Sequence, residues 1–209
     1  MTRSWVGVLV LAIVGWAGTA RADVETHDGF QFRGTLGGGY LHDSESVEGA
    51  GNGIDGTVSG GAALLEIYLG GTPVPGLVFG GFLSGMSAPG PSAKVGNTTI
   101  VASDDQSLGL GSVGPYVDFY PSPQKGFHVL GTLGYAQVSF NDGDGTVDAA
   151  SSSGFTLGTG VGYDGFVSDE WSLGVLGRLS YAWTSHDTAG VTVHDNALAV
   201  GLSFSVSCH

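Results

Sequence analysis

Apolar and small polar residues alternate along much of this chain, and the alternation is cleanest near its end. From Leu198 every second residue is apolar (Leu198, Val200, Leu202, Phe204, Val206), and the positions between hold Ala199, Gly201, Ser203 and Ser205. A period of two marks a β-strand with one face in apolar surroundings. In a soluble sandwich the other face would carry Lys, Glu or Thr toward water; here it carries small, uncharged residues. The same reading gives eight candidate strands, at 29–42, 57–70, 76–86, 106–120, 126–140, 154–166, 171–184 and 193–206. Several exceed the ~9 to 11 residues that a tilted strand needs to cross a bilayer. The connections 43–56, 87–105, 141–153 and 185–192 are longer, acidic and rich in Gly and Ser, whereas 71–75, 121–125 and 167–170 are short turns with Pro or Asp chemistry.

Facing follows from parity. In the seventh strand Trp171, Leu173, Val175, Leu179, Tyr181 and Trp183 share one face, and Ser172, Gly174, Arg178, Ser180 and Thr184 share the other. Aromatic residues at both ends of the apolar face match the two interfacial girdles of a membrane barrel. The sixth strand turns Phe155, Leu157, Val161 and Tyr163 outward and Thr156, Gly158, Gly160, Gly162 and Asp164 inward. The first turns Phe30, Phe32, Leu36 and Tyr40 outward and Gln31, Arg33 and Thr35 inward. In the fourth, Leu108 and Leu110 have one parity while Val113, Val117 and Phe119 have the other, which predicts a bulge near Gly111-Ser112. The third and fifth strands have no clear facing.

An even strand count, with short turns at one end and longer loops at the other, is the layout of a membrane barrel. The predicted fold is all-β, an eight-stranded antiparallel up-and-down transmembrane β-barrel with both termini on the periplasmic side. A soluble exported barrel of lipocalin shape is the rival fold, and it predicts an apolar lumen. The N-terminus agrees with export: a basic start at Met1-Thr-Arg-Ser4, an apolar run from Trp5 to Gly18, and Thr19-Ala-Arg-Ala22 as a small-residue cleavage site. Residues 1–22 therefore read as a secretory signal peptide and 23–209 as the outer-membrane barrel domain. After cleavage four basic residues (Arg33, Lys94, Lys125, Arg178) face all 19 acidic ones, a net charge of −15. That balance excludes nucleic acid as a partner, because phosphates need basic patches. The 39 glycines are dispersed through the apolar strands, where they permit twist and leave lumen space. Cys208 is the single cysteine, so it has no intrachain disulfide partner and stands as a free periplasmic thiol or a site of dimer formation.

These strands resemble the small eight-stranded outer-membrane barrels, the group that includes OmpX and the transmembrane domain of OmpA, over residues 27–206. The most specific element is Gly201-Leu-Ser-Phe204-Ser-Val206, which is similar to the C-terminal assembly signal of such barrels, a glycine followed by two alternating hydrophobic residues. The resemblance implies a monomer in the bacterial outer membrane whose partners are outer-membrane lipid, lipopolysaccharide and the barrel-assembly machinery. It implies neither a cofactor nor an OmpA-type cell-wall anchor. Ser207, Cys208 and His209 are expected to hang below the membrane.

Scarce charge makes the inward ions informative. Arg33 on the first strand and Glu66 on the second fall opposite each other if that hairpin is centred near Gly49, so they are expected to meet in the lower lumen. Arg178 is expected to form a second cluster with Asp118 and Asp164. A charge exposed to lipid at mid-bilayer costs ~2 to 4 kcal/mol, so inward pairing is favoured. Such pairs serve either to close the barrel or to gate it. Eight strands enclose an interior that side chains can fill, which excludes a general diffusion pore and leaves a narrow channel or small-solute conduit as the second functional reading. The first is a non-enzymatic structural or surface-interaction role through the external loops, whose acidity favours divalent-cation bridging to anionic lipopolysaccharide.

Three further patterns carry candidate chemistry. The pairs His27-Asp28, His42-Asp43, His186-Asp187 and His194-Asp195 hold imidazole and carboxylate that suit a transition metal, the last three converging on the outer rim. Adjacent strand residues point to opposite faces, however, and no metal site is assigned. Asn141-Asp-Gly-Asp-Gly-Thr-Val-Asp148 is like a calcium loop in Asp142, Asp144 and Gly145, but Phe140 and Ser151 stand where acids are needed. Third, some eight-stranded barrels modify lipid A, and those resembling the lipid A deacylase use a His and a Ser two apart, the spacing of His42-Asp-Ser44. Without a residue to orient the imidazole, no catalytic residue is assigned.

Overall fold

The computed structural model describes residues 29–47, 56–95, 98–103, 105–141, 151–188 and 191–209. The expected signal peptide and cleavage site, the His27-Asp28 pair and the calcium-like Asp142, Asp144 and Gly145 lie outside these residues. In chain order the strands are β1 (Gly29–Val47), β2 (Gly56–Val74), β3 (Leu77–Pro89), β4 (Ser92–Val95), β5 (Thr98–Val101), β6 (Ser107–Phe119), β7 (Phe127–Asn141), β8 (Ser151–Phe166), β9 (Trp171–Thr188) and β10 (Val191–Cys208). Eight of them are staves, each antiparallel to its neighbours, and β1 pairs with both β2 and β10, so the sheet closes on itself. No helix is present among the described residues. Closure leaves no unpaired edge along the staves, which is what a backbone in lipid requires.

Inward positions are odd on β1 and β10 and even on the other staves. This parity realises the facing expected for the first, sixth, seventh and eighth predicted strands, now β1, β8, β9 and β10. It also resolves the others: β3 turns Val78, Phe82 and Met86 inward and Phe79 and Leu83 outward, and β7 turns His128, Leu130 and Thr132 inward and Val129, Leu133 and Tyr135 outward. The expected bulge at Gly111-Ser112 is absent. The β3–β6 register runs unbroken from Leu77↔Phe119 to Pro89↔Ser107, and Leu108 and Leu110 face the lumen, where an apolar layer receives them. A register shift lies instead between Gly71 and Val74 on β2. On β6, pairing with β7 lapses between Val113 and Tyr116 while the register is kept, because Pro115 has no N–H to give to the ladder.

The staves rise further than the sequence indicates. β1 continues to Val47, and β9 and β10 stay paired up to Thr188↔Val191, so the expected fourth long loop is mostly strand. The second long connection holds the β4–β5 hairpin, which extends the sheet from the upper end of β2 (Gly56↔Val95 to Ser59↔Ser92). Its signal was present in the sequence: a β-branched run, Thr98-Thr-Ile-Val101, preceded by Gly96-Asn97, a pair that favours two-residue hairpins.

The end of the barrel with the short turns is also where the described chain starts and stops. Gly76 makes one of these turns at φ +82°, a conformation that glycine adopts without strain, and its carbonyl accepts a hydrogen bond from Tyr120 N at 2.7 Å. The tail does not hang free here. Ser207 and Cys208 belong to β10 opposite Arg33 and Phe32, and His209 N donates to the Glu170 carbonyl at 3.0 Å. The His209 ring lies 5.6 Å from that of Phe166, and its Nε2 is 3.1 Å from Ser172 Oγ. Unpaired strand ends are costly, and pairing Ser207 and Cys208 satisfies them.

Candidate functional site

The lumen is stratified. At the short-turn end, called lower here, the fully buried Arg33 reaches across the barrel from β1. Its Nη1 lies 2.7 Å from Asp118 Oδ2 on β6, its Nη2 2.9 Å from Asp164 Oδ2 on β8, and its Nε donates to Ser207 Oγ on β10 at 3.1 Å. Nη2 also donates to the Tyr120 hydroxyl. That hydroxyl in turn donates to Asp164 Oδ2 at 3.1 Å and accepts from Gln31 Nε2 at 3.3 Å. His128 on β7 completes the cluster, with Nδ1 2.8 Å from Asp118 Oδ1 and its ring stacked on Tyr120 at 4.9 Å. Ser205 donates to Asp164 Oδ1 at 3.0 Å. Buried charges are tolerated when paired and fully hydrogen-bonded, and this network ties five staves around one guanidinium.

At mid-height Arg178 Nε on β9 lies 3.1 Å from Glu66 Oε1 on β2, and Thr35 donates to Glu66 Oε2 at 3.2 Å. Arg178 Nη2 donates to Thr132 Oγ1 at 3.5 Å. Above this pair the character inverts. Leu41, Leu64, Met86, Leu108, Leu110 and Val138, with alanines from β2, β3, β7, β9 and β10, form an apolar layer across the lumen.

Above the apolar layer opens a cavity of about 290 Å³. Asp43 on β1 and Asp195 on β10 are buried in its wall, and Glu45 stands at its rim. Ser152 on β8 bridges the two ionisable groups opposite, donating to Asp195 Oδ2 and lying 2.7 Å from His186 Nδ1. His186 Nδ1 is itself 3.6 Å from Asp195 Oδ2. Asp43 sits above Tyr40, the outward aromatic at the top of β1's apolar face, and therefore beyond the apolar belt. Burial, then the charges of Asp195 and Glu45, push its carboxyl up from 3.8 to about 7.

Arg33, Glu66, Arg178, Asp118 and Asp164 thus all line the lumen, but their partners differ from the expected ones. Arg33 pairs with Asp118 and Asp164, and Arg178 pairs with Glu66. The β1–β2 register sets Thr35, not Arg33, opposite Glu66 and places Arg33 opposite Tyr68. In so narrow a lumen a long side chain also finds its partner across the barrel rather than along its own hairpin. Gln31, Tyr120, His128, Ser205 and Ser207 join the network unforeseen as partners. Tyr120 has the parity of Asp118, and His128 alternates with the outward Phe127 and Val129, so parity was the available signal.

Of the three His-Asp pairs within the described residues, each sends one member inward: Asp43, His186 and Asp195. The outward Asp187 accepts from Thr192 Oγ1 at 2.8 Å. Among the described residues no three His, Cys, Asp or Glu side chains are grouped to hold a metal ion. His42 and Ser44 share the outward parity, and the Ser44 hydroxyl is given to the Asn196 carbonyl at 3.4 Å. In the segment resembling an assembly signal, Phe204 and Val206 point outward, while Gly201 points into the lumen against Leu64, which a Cβ there would meet at 2.8 Å.

No family model matches the chain, and no curated protein matches it in sequence. Its structure is similar to the outer membrane protein OprG from Pseudomonas aeruginosa, at 15% identity over 88% of this chain and 99% of that one, with a TM-score of 0.52. Neisserial surface protein A matches at 15% identity over 84% and 96% of the two chains, with a TM-score of 0.45. Ail, the attachment invasion locus protein of Yersinia pestis, matches at 12% identity over 85% and 99%, with a TM-score of 0.41. In its strand count, its antiparallel closure and its likeness to OprG, the chain has the fold of the small eight-stranded outer-membrane barrels.

Proposed function

We propose that the protein is an integral, monomeric and non-enzymatic barrel of the bacterial outer membrane, with its short turns and both termini in the periplasm and its interactions carried by the opposite, acidic end. The observation that carries the reading is the inverted distribution of polarity. Phe204 is 77% exposed and Phe155 70%, while Arg33 and Asp118 are fully buried. At ~25 cal/mol per Å² of apolar surface, a belt of Leu, Val and Phe around every stave is strongly unfavourable in water and favourable against lipid tails. The ionic layers buried in the lower and middle lumen, beneath a greasy outer face, also argue against the soluble lipocalin-like alternative, whose lumen would be apolar throughout.

The two closed layers favour a structural or surface-interaction role over a conduit. Placing the exposed Glu45 and Asp187 at the external end supports contact with anionic lipopolysaccharide through divalent cations. The test is fractionation of the expressing cells. The protein should require detergent for extraction from the outer membrane and should migrate faster on gels before heating than after. Release by a salt or alkaline wash, with no heat-modifiable band, sinks the reading. Lipopolysaccharide binding that is unchanged by a chelator sinks the bridging role alone.

A further inference from the structure

The cavity at the upper end has a chemistry that the closed barrel does not need. Asp43 is 7% exposed, and its Oδ1, buried in the cavity wall, has no hydrogen-bond partner. A carboxylate oxygen so placed lacks the donor that burial demands, and it is penalised for staying charged. Asp195, on the neighbouring stave, is 5% exposed. Neither Lys nor Arg is among the described residues that line the cavity. Carboxylates make up only part of the lining, for Val58, Leu108, Val138 and Phe140 supply the rest. At about 290 Å³ the space is close to the lower bound of ~300 Å³ for small-molecule pockets, and far larger than a bare ion.

We propose that this outer mouth binds a small organic cation, an ammonium or amidinium group that Asp43 and Asp195 hold while the apolar body of the ligand rests on Val58, Leu108, Val138 and Phe140. The charged head supplies the donor that Asp43 Oδ1 lacks, and the Phe140 ring offers an aromatic face to either part of the ligand. A metal ion fits less well. Divalent ions take several oxygen or nitrogen ligands, and no such group of three exists among the described residues. The site needs only the fold, so it stands or falls independently of the membrane role proposed above.

Binding should depend on pH. Asp43 faces Glu45 from its own strand, Asp195 from β10 and His186 from β9, whereas the other strands around the cavity present Val58, Ala93, Leu108, Val138, Phe140 and Ser152, none of which titrates. With its carboxyl pushed up to about 7, the empty site holds a proton near neutrality that an arriving cation must displace.

The experiment is calorimetric titration of the refolded full barrel, in an uncharged detergent, with benzylammonium as the probe and benzyl alcohol as its neutral analogue. Expected are saturable one-to-one binding of benzylammonium, no binding of the alcohol, and affinity about tenfold weaker at about pH 6 than at about pH 8. Asp43→Asn and Asp195→Asn should each weaken binding at least ~10-fold, the size expected when a desolvated charge partner is removed. Asp169→Asn, in an exposed turn at the opposite end, should change nothing. Heat-modifiable migration shows that each variant is folded. If Asp43→Asn does not fold, methyl NMR of the unaltered protein decides, because the probe must shift Val58, Leu108 and Val138. The proposal is overturned by absence of heat, by equal binding of the alcohol, by methyl shifts elsewhere, or by calcium or zinc displacing the probe.

Discussion

Arg33 holds together more of the barrel than any other single side chain in the lower lumen, since Asp118, Asp164, Tyr120 and Ser207 all take its protons. Arg33→Met keeps the volume but leaves two buried carboxylates without their cation, and breaking a buried ion pair from one side costs ~3 to 5 kcal/mol. Unfolding of the refolded barrel in urea should show that loss, and Arg33→Lys, which keeps the charge but not the fork, should recover only part of it. Asp43 makes a prediction of opposite sense. Its pKa of about 7 in the folded barrel lies above the 3.8 of an ordinary Asp, so the folded state binds the proton more tightly. The stability this confers is complete below about pH 4 and is lost as pH rises through about 7. Unfolding midpoints should therefore fall between about pH 5 and about pH 8 in the unaltered protein, and more shallowly in Asp43→Asn. Neither partner set was legible in the sequence. Parity put Arg33, Asp118 and Asp164 in the lumen, but which ions touch depends on register and on reach across a narrow space.

Strand facing was legible wherever the two faces differ in chemistry. β8, β9 and β10 set Leu, Val and aromatics against Gly, Ser and Thr, and one inversion of parity would have put the greasy set inside. On β3, β6 and β7 the signal fades because the upper lumen is itself apolar. Met86, Leu108, Leu110 and Val138 are buried there, while Leu83, Val113 and Leu133 are exposed, so both faces read as hydrophobic, and on β6 that double pattern mimics a bulge. Strand ends were illegible for another reason: above the belt the staves are held by pairing alone, and no apolar period marks them. The outward face of β10 supplies the test at this scale. Leu202 is 66% exposed and has glycines beside it on both neighbouring staves, Gly38 and Gly177. Leu202→Arg should destabilise the barrel in phospholipid vesicles by ~2 to 4 kcal/mol, and Leu202→Phe by little. Equal stability of the two in vesicles would mean that this face does not meet lipid.

Seen along its axis, the barrel carries barriers of two kinds in series, with the Arg178–Glu66 pair lying between the extremes. The lower is ionic, centred on Arg33, and the upper is the apolar layer of Met86, Leu108, Leu110 and their neighbours, which excludes ions by offering them no ligands. Barriers in series conduct only as well as the worse of them, so removing one leaves the lumen shut. The unaltered barrel in a planar bilayer should therefore show no steady conductance, and Arg33→Ala alone should stay silent. Leu108→Ala with Leu110→Ala should stay silent as well, because the Arg33 network remains closed below. Joining all three to Arg178→Ala, which also breaks the mid-height pair with Glu66, should produce discrete single-channel steps. Steps in the unaltered protein would replace the closed barrel with a conduit, and steps in Arg33→Ala alone would mean that the apolar layer is no barrier and that the ionic cluster by itself gates the lumen.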